Sequence, residues 1–440
     1  MKFSHGGESG GYNMIKIVNG YLVNPAKKQE GYANLIIEDG IITEITAQEG
    51  KVDIKDEEGV KIIDASGCII APGLVDVHVH FRDPGFTHKE DIFTGAICSA
   101  AGGFTDVVMM ANTKPAVDSV ETLKYVIDKA SRTDIHVHAC ATITKDLKGE
   151  ELVDIDTLYN EGAIGFTDDG IPIMNPDILR AAMKFTKKLN APISLHEENA
   201  TFISENGINS DIAKSHFGLN GAPREAEIDL VTRDVAIAIE EGAILNVQHI
   251  STKEAVDIIR EAKKNGHDNI HAEATPHHFT LTQDALIEHG TMAKMNPPIR
   301  LESDRIAIIE GLVDGTIDMI ATDHAPHSDE EKAVEFTKAP SGIIGIEISL
   351  SLGITELVKK GYLSISQLIE KMAVNPARLY GLDAGVLEIG KSADLVIFNQ
   401  NETVIVGESL SKSNNTPFKG KELYGNIHYT ICDGRIVYSK

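Results

Sequence analysis

Two rhythms of hydrophobic and polar positions divide the chain. From Met14 to about Cys68, short β-rich runs (IKIVNGYLV, ANLIIEDGIITEIT, KIIDASGCII) are punctuated by Asn-Gly and Asp-Gly. That pattern predicts hairpins in a small β domain. The C-terminal runs SADLVIFN, IHYTICDG and RIVYSK repeat it. The two ends are expected to meet in one β module, with the middle inserted between them. The rhythm changes at Ala71-Pro72-Gly73.

The middle alternates short apolar runs with helix-like stretches. The runs are LVDVHVH (74–80), TDVVMMAN (105–112), IHVHACAT (135–142), AIGFT (163–167), PISLH (192–196), AILNVQH (243–249), IHAEAT (270–275) and IDMIATD (317–323). Stretches such as DILRAAMKFTKKL and AEIDLVTRDVAIAIEEG lie between them. Strand–helix alternation implies right-handed crossovers and a parallel sheet. Eight such units fit an α/β fold of the (β/α)8 type, with an open doubly wound sheet as the alternative. No G-x-G-x-x-G or Walker pattern follows a strand, which weakens a nucleotide-binding reading.

Charge narrows the partners. The 440 residues carry 41 basic and 66 acidic side chains, a formal charge of −25. Bulk charge thus disfavours nucleic acid and anionic membranes, and no 18-residue apolar run spans a bilayer. Cys68, Cys98, Cys140 and Cys432 form no CxxC pair, so a reducing cytoplasm is expected. The opening MKFSHGGESGGYN lacks a signal-peptide core. Residues 1–13 read as a disordered leader or tag.

Candidate chemistry gathers where a barrel keeps its active site, at the C-terminal strand ends. His78 and His80, at i and i+2, point to one face and can reach one ion. His196, His249 and Asp323 end strands 5, 6 and 8. Imidazole and carboxylate are ligands that zinc accepts. Strand 4 runs into Asp168-Asp169-Gly170, where one carboxylate could bridge two cations; an Asx turn is the plain alternative for Asp168. His136 and His138 also form an HxH, but early in strand 3, on the stability side. His277 and His278 are expected behind the ligands rather than among them.

These residues resemble a known family. Residues 71–85 (APGLVDVHVHFRDPG) are similar to the opening signature of the cyclic amidohydrolases, dihydroorotases in particular. The resemblance continues through MANT (110–113), FTDDG (166–170), HIST (249–252), MNPP (295–298), DHAPH (323–327) and GKSADL (390–395).

The resemblance implies a barrel over 71–380 carrying a β-sandwich built from 14–70 and 381–440. It implies one or two zinc ions: His78, His80 and Asp323 on one, His196 and His249 on the other, Asp169 bridging. Many relatives bridge with a carboxylated lysine; an aspartate here resembles one branch of the dihydroorotases. Arg82 and Asn112 would pair with a substrate carboxylate, because guanidinium donates two parallel hydrogen bonds. A salt bridge from Arg82 to Asp83 is the structural alternative. Asn296 and His327 would contact the ring, and Ala339 and Gly342 would supply backbone contacts. The implied reaction interconverts L-dihydroorotate and N-carbamoyl-L-aspartate in pyrimidine biosynthesis, with Asp323 moving the proton. The rivals are an allantoinase, a hydantoinase or dihydropyrimidinase, and an inactive subunit scaffolding aspartate transcarbamoylase. A homodimer and a transcarbamoylase complex are the candidate assemblies.

Overall fold

The computed structural model describes residues 13–54 and 57–440. The leader expected over 1–13 lies, apart from Asn13, outside the described residues. Five strands precede the central segment: β1 (Met14–Asn24), β2 (Gln29–Glu38), β3 (Ile41–Ala47), β4 (Val60–Asp64) and β5 (Ile69–Pro72). The central segment holds β6 (Leu74–Val79), β7 (Phe104–Met109), β8 (His136–Ala139), β9 (Ile193–Leu195), β10 (Leu245–Val247), β11 (Ile270–Ala274) and β12 (Met319–Ile320). Strands β13 (Leu395–Ile405), β14 (Glu422–Cys432) and β15 (Arg435–Ser439) close the chain.

The two chain ends do meet. Strands β15-β14-β13-β5-β1-β2-β3 run side by side in one sheet, with β4 also paired to β1. The seam is the antiparallel β5–β13 pair, Ile69–Pro72 against Leu395–Phe398. Each end carries an Asp-Gly hairpin turn with both residues at positive φ: Asp39 (48°) and Gly40 (85°), Asp433 (49°) and Gly434 (68°). Such turns match the twist of the strands they join. The two turns also touch, and a Cβ on Gly434 would fall 2.4 Å from the Gly40 Cα. A separate apolar core, including Ile15, Leu35, Ile70, Leu395 and Ile431, fills this module.

In the middle, β6-β7-β8 and β9-β10-β11-β12 form two parallel sheets. Between their strands run helices whose N-termini are capped by side chains: Asp91 for Ile92–Ala101, Ser119 for Val120–Ala130, Asn175 for Pro176–Leu189 and Thr252 for Lys253–Lys264. Such caps satisfy amide groups that the first helical turn leaves free. A large core that includes Leu74, Val107, Ile193, Leu245 and Phe398 joins sheets and helices.

The fourth expected strand, 163–167, is the exception. It forms no ladder; Phe166 alone bridges Ala141 on one side and Ile193 on the other. Backbone hydrogen bonds still hold it on both sides: Ile164 and Thr167 donate to the Ala139 and Ala141 carbonyls at 3.0 and 2.9 Å, and Phe166 donates to the Pro192 carbonyl at 3.1 Å. Pro192 has no amide hydrogen to extend the pairing on its side. A bridge from Val79 to His324 links β6 to the segment after β12. Among the described residues no helix is long and apolar enough to cross a membrane.

Candidate metal and substrate site

His78 is the penultimate residue of β6, while His196, His249 and Asp323 follow the ends of β9, β10 and β12 by one, two and three residues. The His80 ring centroid lies 5.3 Å from that of His78. His80 Nε2 lies 2.9 Å from Asp323 Oδ1 and 3.3 Å from Asp169 Oδ2. His78 Nε2 lies 3.4 Å from Asp169 Oδ1 and 3.5 Å from Asp323 Oδ1. His249 Nε2 stands 3.8 Å from Asp169 Oδ1. Arg82, His249 and Asp323 take left-handed φ values of 59°, 31° and 48°, a conformation that costs about 1–3 kcal/mol per residue and clusters at functional sites.

The donor set suits a cation. His78, His80 and Asp323 form one group whose ligand atoms lie within 4.8 Å of one another, and His78, Asp169 and His249 form another. His78 Nε2, Asp169 Oδ1 and His249 Nδ1 are buried without a hydrogen-bond partner. Buried polar atoms rarely go unpaired, so a metal ion between these groups fits what the residues lack. Burial would raise the carboxyl of Asp323, but His78, His80 and His249 outweigh it and hold the group well below the usual carboxylate range. Asp169 is depressed in the same way, burial again opposing His78 and its neighbours.

His196, expected to share a metal with His249 and Asp169, lies against His249. Its Nδ1 is 2.9 Å from His249 Nε2, and its Nε2 faces Glu198 at 3.1 Å. It therefore touches the cluster through His249 and belongs to neither three-residue group. The Asp168 carbonyl opens a turn by accepting from the Ile171 amide at 2.9 Å, whereas its carboxylate makes no Asx turn and accepts from the Ile143 and Thr144 amides at 2.7 and 3.2 Å. Burial pushes that carboxyl up to about 6.

The substrate candidates line a cavity of about 210 Å³ with the cluster at its floor. Arg82, Asn112, Asn296, His327 and Gly342 border it, and Ala339 does not. Asn112 joins the cluster to this wall, its Oδ1 3.0 Å from His80 Nδ1 and its amide donating to Asp169 Oδ2 at 3.2 Å. Arg82 makes no pair with Asp83, whose carboxylate takes Tyr125 and Lys129 at 2.9 and 2.8 Å. Its guanidinium donates instead to the Pro326 carbonyl at 3.3 Å. A larger cavity of about 540 Å³ lies between 344–348, 404–410 and Tyr438. It borders His324 but none of the cluster, so size alone does not mark the chemistry.

One buried carboxylate escaped the sequence reading. Glu273, on β11, is fully buried and hydrogen-bonds His78 Nδ1, with its other oxygen accepting from Asn246 at 3.0 Å. The available signal was a carboxylate inside an apolar strand, IHAEAT, where an unpaired charge is not tolerated. His136 and His138 lie at the other end of the strands. His138 Nε2 is 2.9 Å from Asp106, and His136, Cys432 and Asp433 form a further, half-exposed group. His278 is tied to Thr275 and the Pro297 carbonyl at 2.8 and 3.1 Å. Its neighbour His277 is buried and its pKa is pushed down to about 4 by burial.

Comparison with known proteins agrees with this geometry. The model of the amidohydrolase family matches residues 69–437. A dihydroorotase of Clostridioides difficile is 53% identical over 426 residues, spanning 97% of this chain and 100% of the relative. The chain belongs to the amidohydrolase family and, within it, to the dihydroorotases. A Streptococcus thermophilus dihydroorotase is 48% identical over 97% of this chain and 100% of its own. Among solved amidohydrolases, an L-hydantoinase from Arthrobacter aurescens superposes with a TM-score of 0.84 at 25% identity, covering 97% of this chain and 96% of that one. The mixed α/β architecture is thus that of the amidohydrolases.

Proposed function

We propose that this amidohydrolase is a zinc-dependent dihydroorotase of the cytoplasm, interconverting L-dihydroorotate and N-carbamoyl-L-aspartate. The observation that carries the reading is one cavity lined by the imidazoles of His80, His196 and His249, the ionised carboxylates of Asp169 and Asp323 and the guanidinium of Arg82. Full-length relatives named dihydroorotase support the substrate. The bridges at Phe166 and His324 support a closed (β/α)8 barrel over 71–380, carried by a β-sandwich of 14–70 and 381–440.

His78, His80 and Asp323 would hold one zinc, and His249 with His196 a second, Asp169 lying between them. Zinc, when bound, polarises the ring amide and makes hydroxide available near neutral pH. Asp323 takes a proton from the attacking water at its free oxygen, then delivers it to the departing ring nitrogen as the carbon–nitrogen bond breaks. In synthesis the same carboxylate runs the transfer backwards. Arg82 and Asn112 orient the substrate carboxylate, a group that uncharged hydantoin rings lack. Asn296 and His327 face the ring, with the Gly342 backbone beside them.

Purified protein, with and without added zinc, should be assayed on dihydroorotate, dihydrouracil, hydantoin and allantoin. Zinc-dependent turnover confined to dihydroorotate supports the reading; turnover of allantoin or hydantoin in its place overturns it.

A further inference from the structure

The outer wall of the cavity is held by two lysines that have no acidic partner. Lys294 and Lys332 are 4% and 1% exposed. Among the described residues, neither ammonium lies within 4.0 Å of a carboxylate. Lys294 Nζ donates to the carbonyls of Phe336 and Ala339 at 2.9 and 2.8 Å. Lys332 Nζ donates to those of Pro340 and Gly342 at 2.9 and 3.1 Å. Four carbonyls of one seven-residue stretch therefore converge on two ammonium groups. The Gly342 amide returns a bond to the Lys294 carbonyl at 2.9 Å. The Phe336 ring lies under Lys294 Nζ at 5.1 Å and stacks on Phe217.

We propose that Lys294 and Lys332 are positioning residues that clamp the 336–342 loop and so set the wall formed by Ser341, Gly342 and His327. The link to the wall is direct. The Ser341 carbonyl lies 2.9 Å from His327 Nε2, and Arg82 Nη2 lies 3.4 Å from the same nitrogen. Lys89 then faces the other ring nitrogen at 3.5 Å. An ammonium suits the task because it donates in three directions at once. A buried charge without a counter-ion is costly, and burial brings Lys332 down to about 7. Opening the loop rehydrates both lysines, so the closed wall is held against a standing tendency to open. An anionic substrate beside Arg82 and against the Ser341–Gly342 wall favours the closed state. The inference rests on the dihydroorotase reading for its substrate and on the geometry alone for the clamp.

Three measurements test it. In the wild-type holoenzyme, reductive methylation followed by mass spectrometry should label Lys294 and Lys332 far more slowly than surface lysines, and more slowly still with N-carbamoyl-aspartate. Labelling at the surface rate overturns the clamp without any variant. In Lys294→Met and Lys332→Met, limited proteolysis should cut within 333–342 faster than in the wild type. KM for dihydroorotate should rise by about tenfold with kcat and metal content nearly unchanged. Unchanged cleavage and KM, or a parallel fall of kcat and metal, overturns the proposal. Lys332→Arg keeps a cation that donates in several directions, and its KM should lie much nearer the wild type than that of Lys332→Met. Labelling and proteolysis need no turnover. A wild type inactive on dihydroorotate would sink the proposed function while leaving the clamp to be judged separately.

Discussion

His78 turns its Nδ1 to the buried carboxylate of Glu273 and thereby presents Nε2 to Asp169 and Asp323. The pair fixes both the tautomer and the ring plane of a metal ligand. Such outer partners typically carry about 10–100-fold in metal affinity or activity. Glu273→Gln should weaken metal binding within that range while the fold persists, because Asn246 still contacts the amide. Competition against a chelator of known affinity measures it; an unchanged constant would show that packing alone orients His78.

Metal removal should abolish turnover, and zinc should restore it. Elemental analysis of the purified protein is expected to find between one and two zinc per chain, with the second lost first on mild chelation. His196, which reaches the cluster only through His249, motivates that order. Full activity in demetallated protein would refute the chemistry.

Arg82→Met should act on dihydroorotate rather than on the fold. A charge-assisted pair in a desolvated site is worth roughly 2–5 kcal/mol, so kcat/KM for dihydroorotate should fall accordingly. Turnover of dihydrouracil, which lacks the carboxylate, should change little. Equal losses on both substrates would make Arg82 a structural residue.

Asp323→Asn separates ligand from base. The amide keeps one oxygen for the metal but accepts no proton, and general acid–base groups contribute about 10²–10⁴-fold. A fall in kcat of that order is expected, with zinc retained by the remaining imidazoles. Near-normal turnover with zinc in place would move the proton to another group, His327 first.

At the far end of the strands, Asp394 raises His136 to about 9, helped by Asp106 and Asp433. Asp433 is nearer, at 3.5 against 3.9 Å, but Asp394 is the more buried and less screened. A raised pKa means that the folded state binds the proton more tightly. The stabilisation is therefore complete below about pH 6.5 and fades as pH rises through 9. Thermal unfolding of His136→Gln and wild type should converge towards pH 10 and differ most near pH 6. A gap that stays constant with pH would assign His136 to packing.

Local pattern was enough for much of this. Asp-Gly turns between β-branched runs specify hairpins through backbone preference alone, and apolar runs between amphipathic stretches specify crossovers. The HxH at 78–80 and the histidine or aspartate at later strand ends were legible because a ligand must follow the last buried residue of its strand. Strand 4 lies between its expected neighbours but is reduced to single bridges, and on one side Pro192 has no amide hydrogen to lengthen the pairing. What tertiary structure alone decided was which polar groups meet. Glu273 behind His78, the turn of His196 towards Glu198, and Ala339 withdrawn from the cavity onto Lys294 leave no periodic trace. Such contacts arise from how strands and loops pack, and a carboxylate's partner in space is independent of its spacing in sequence.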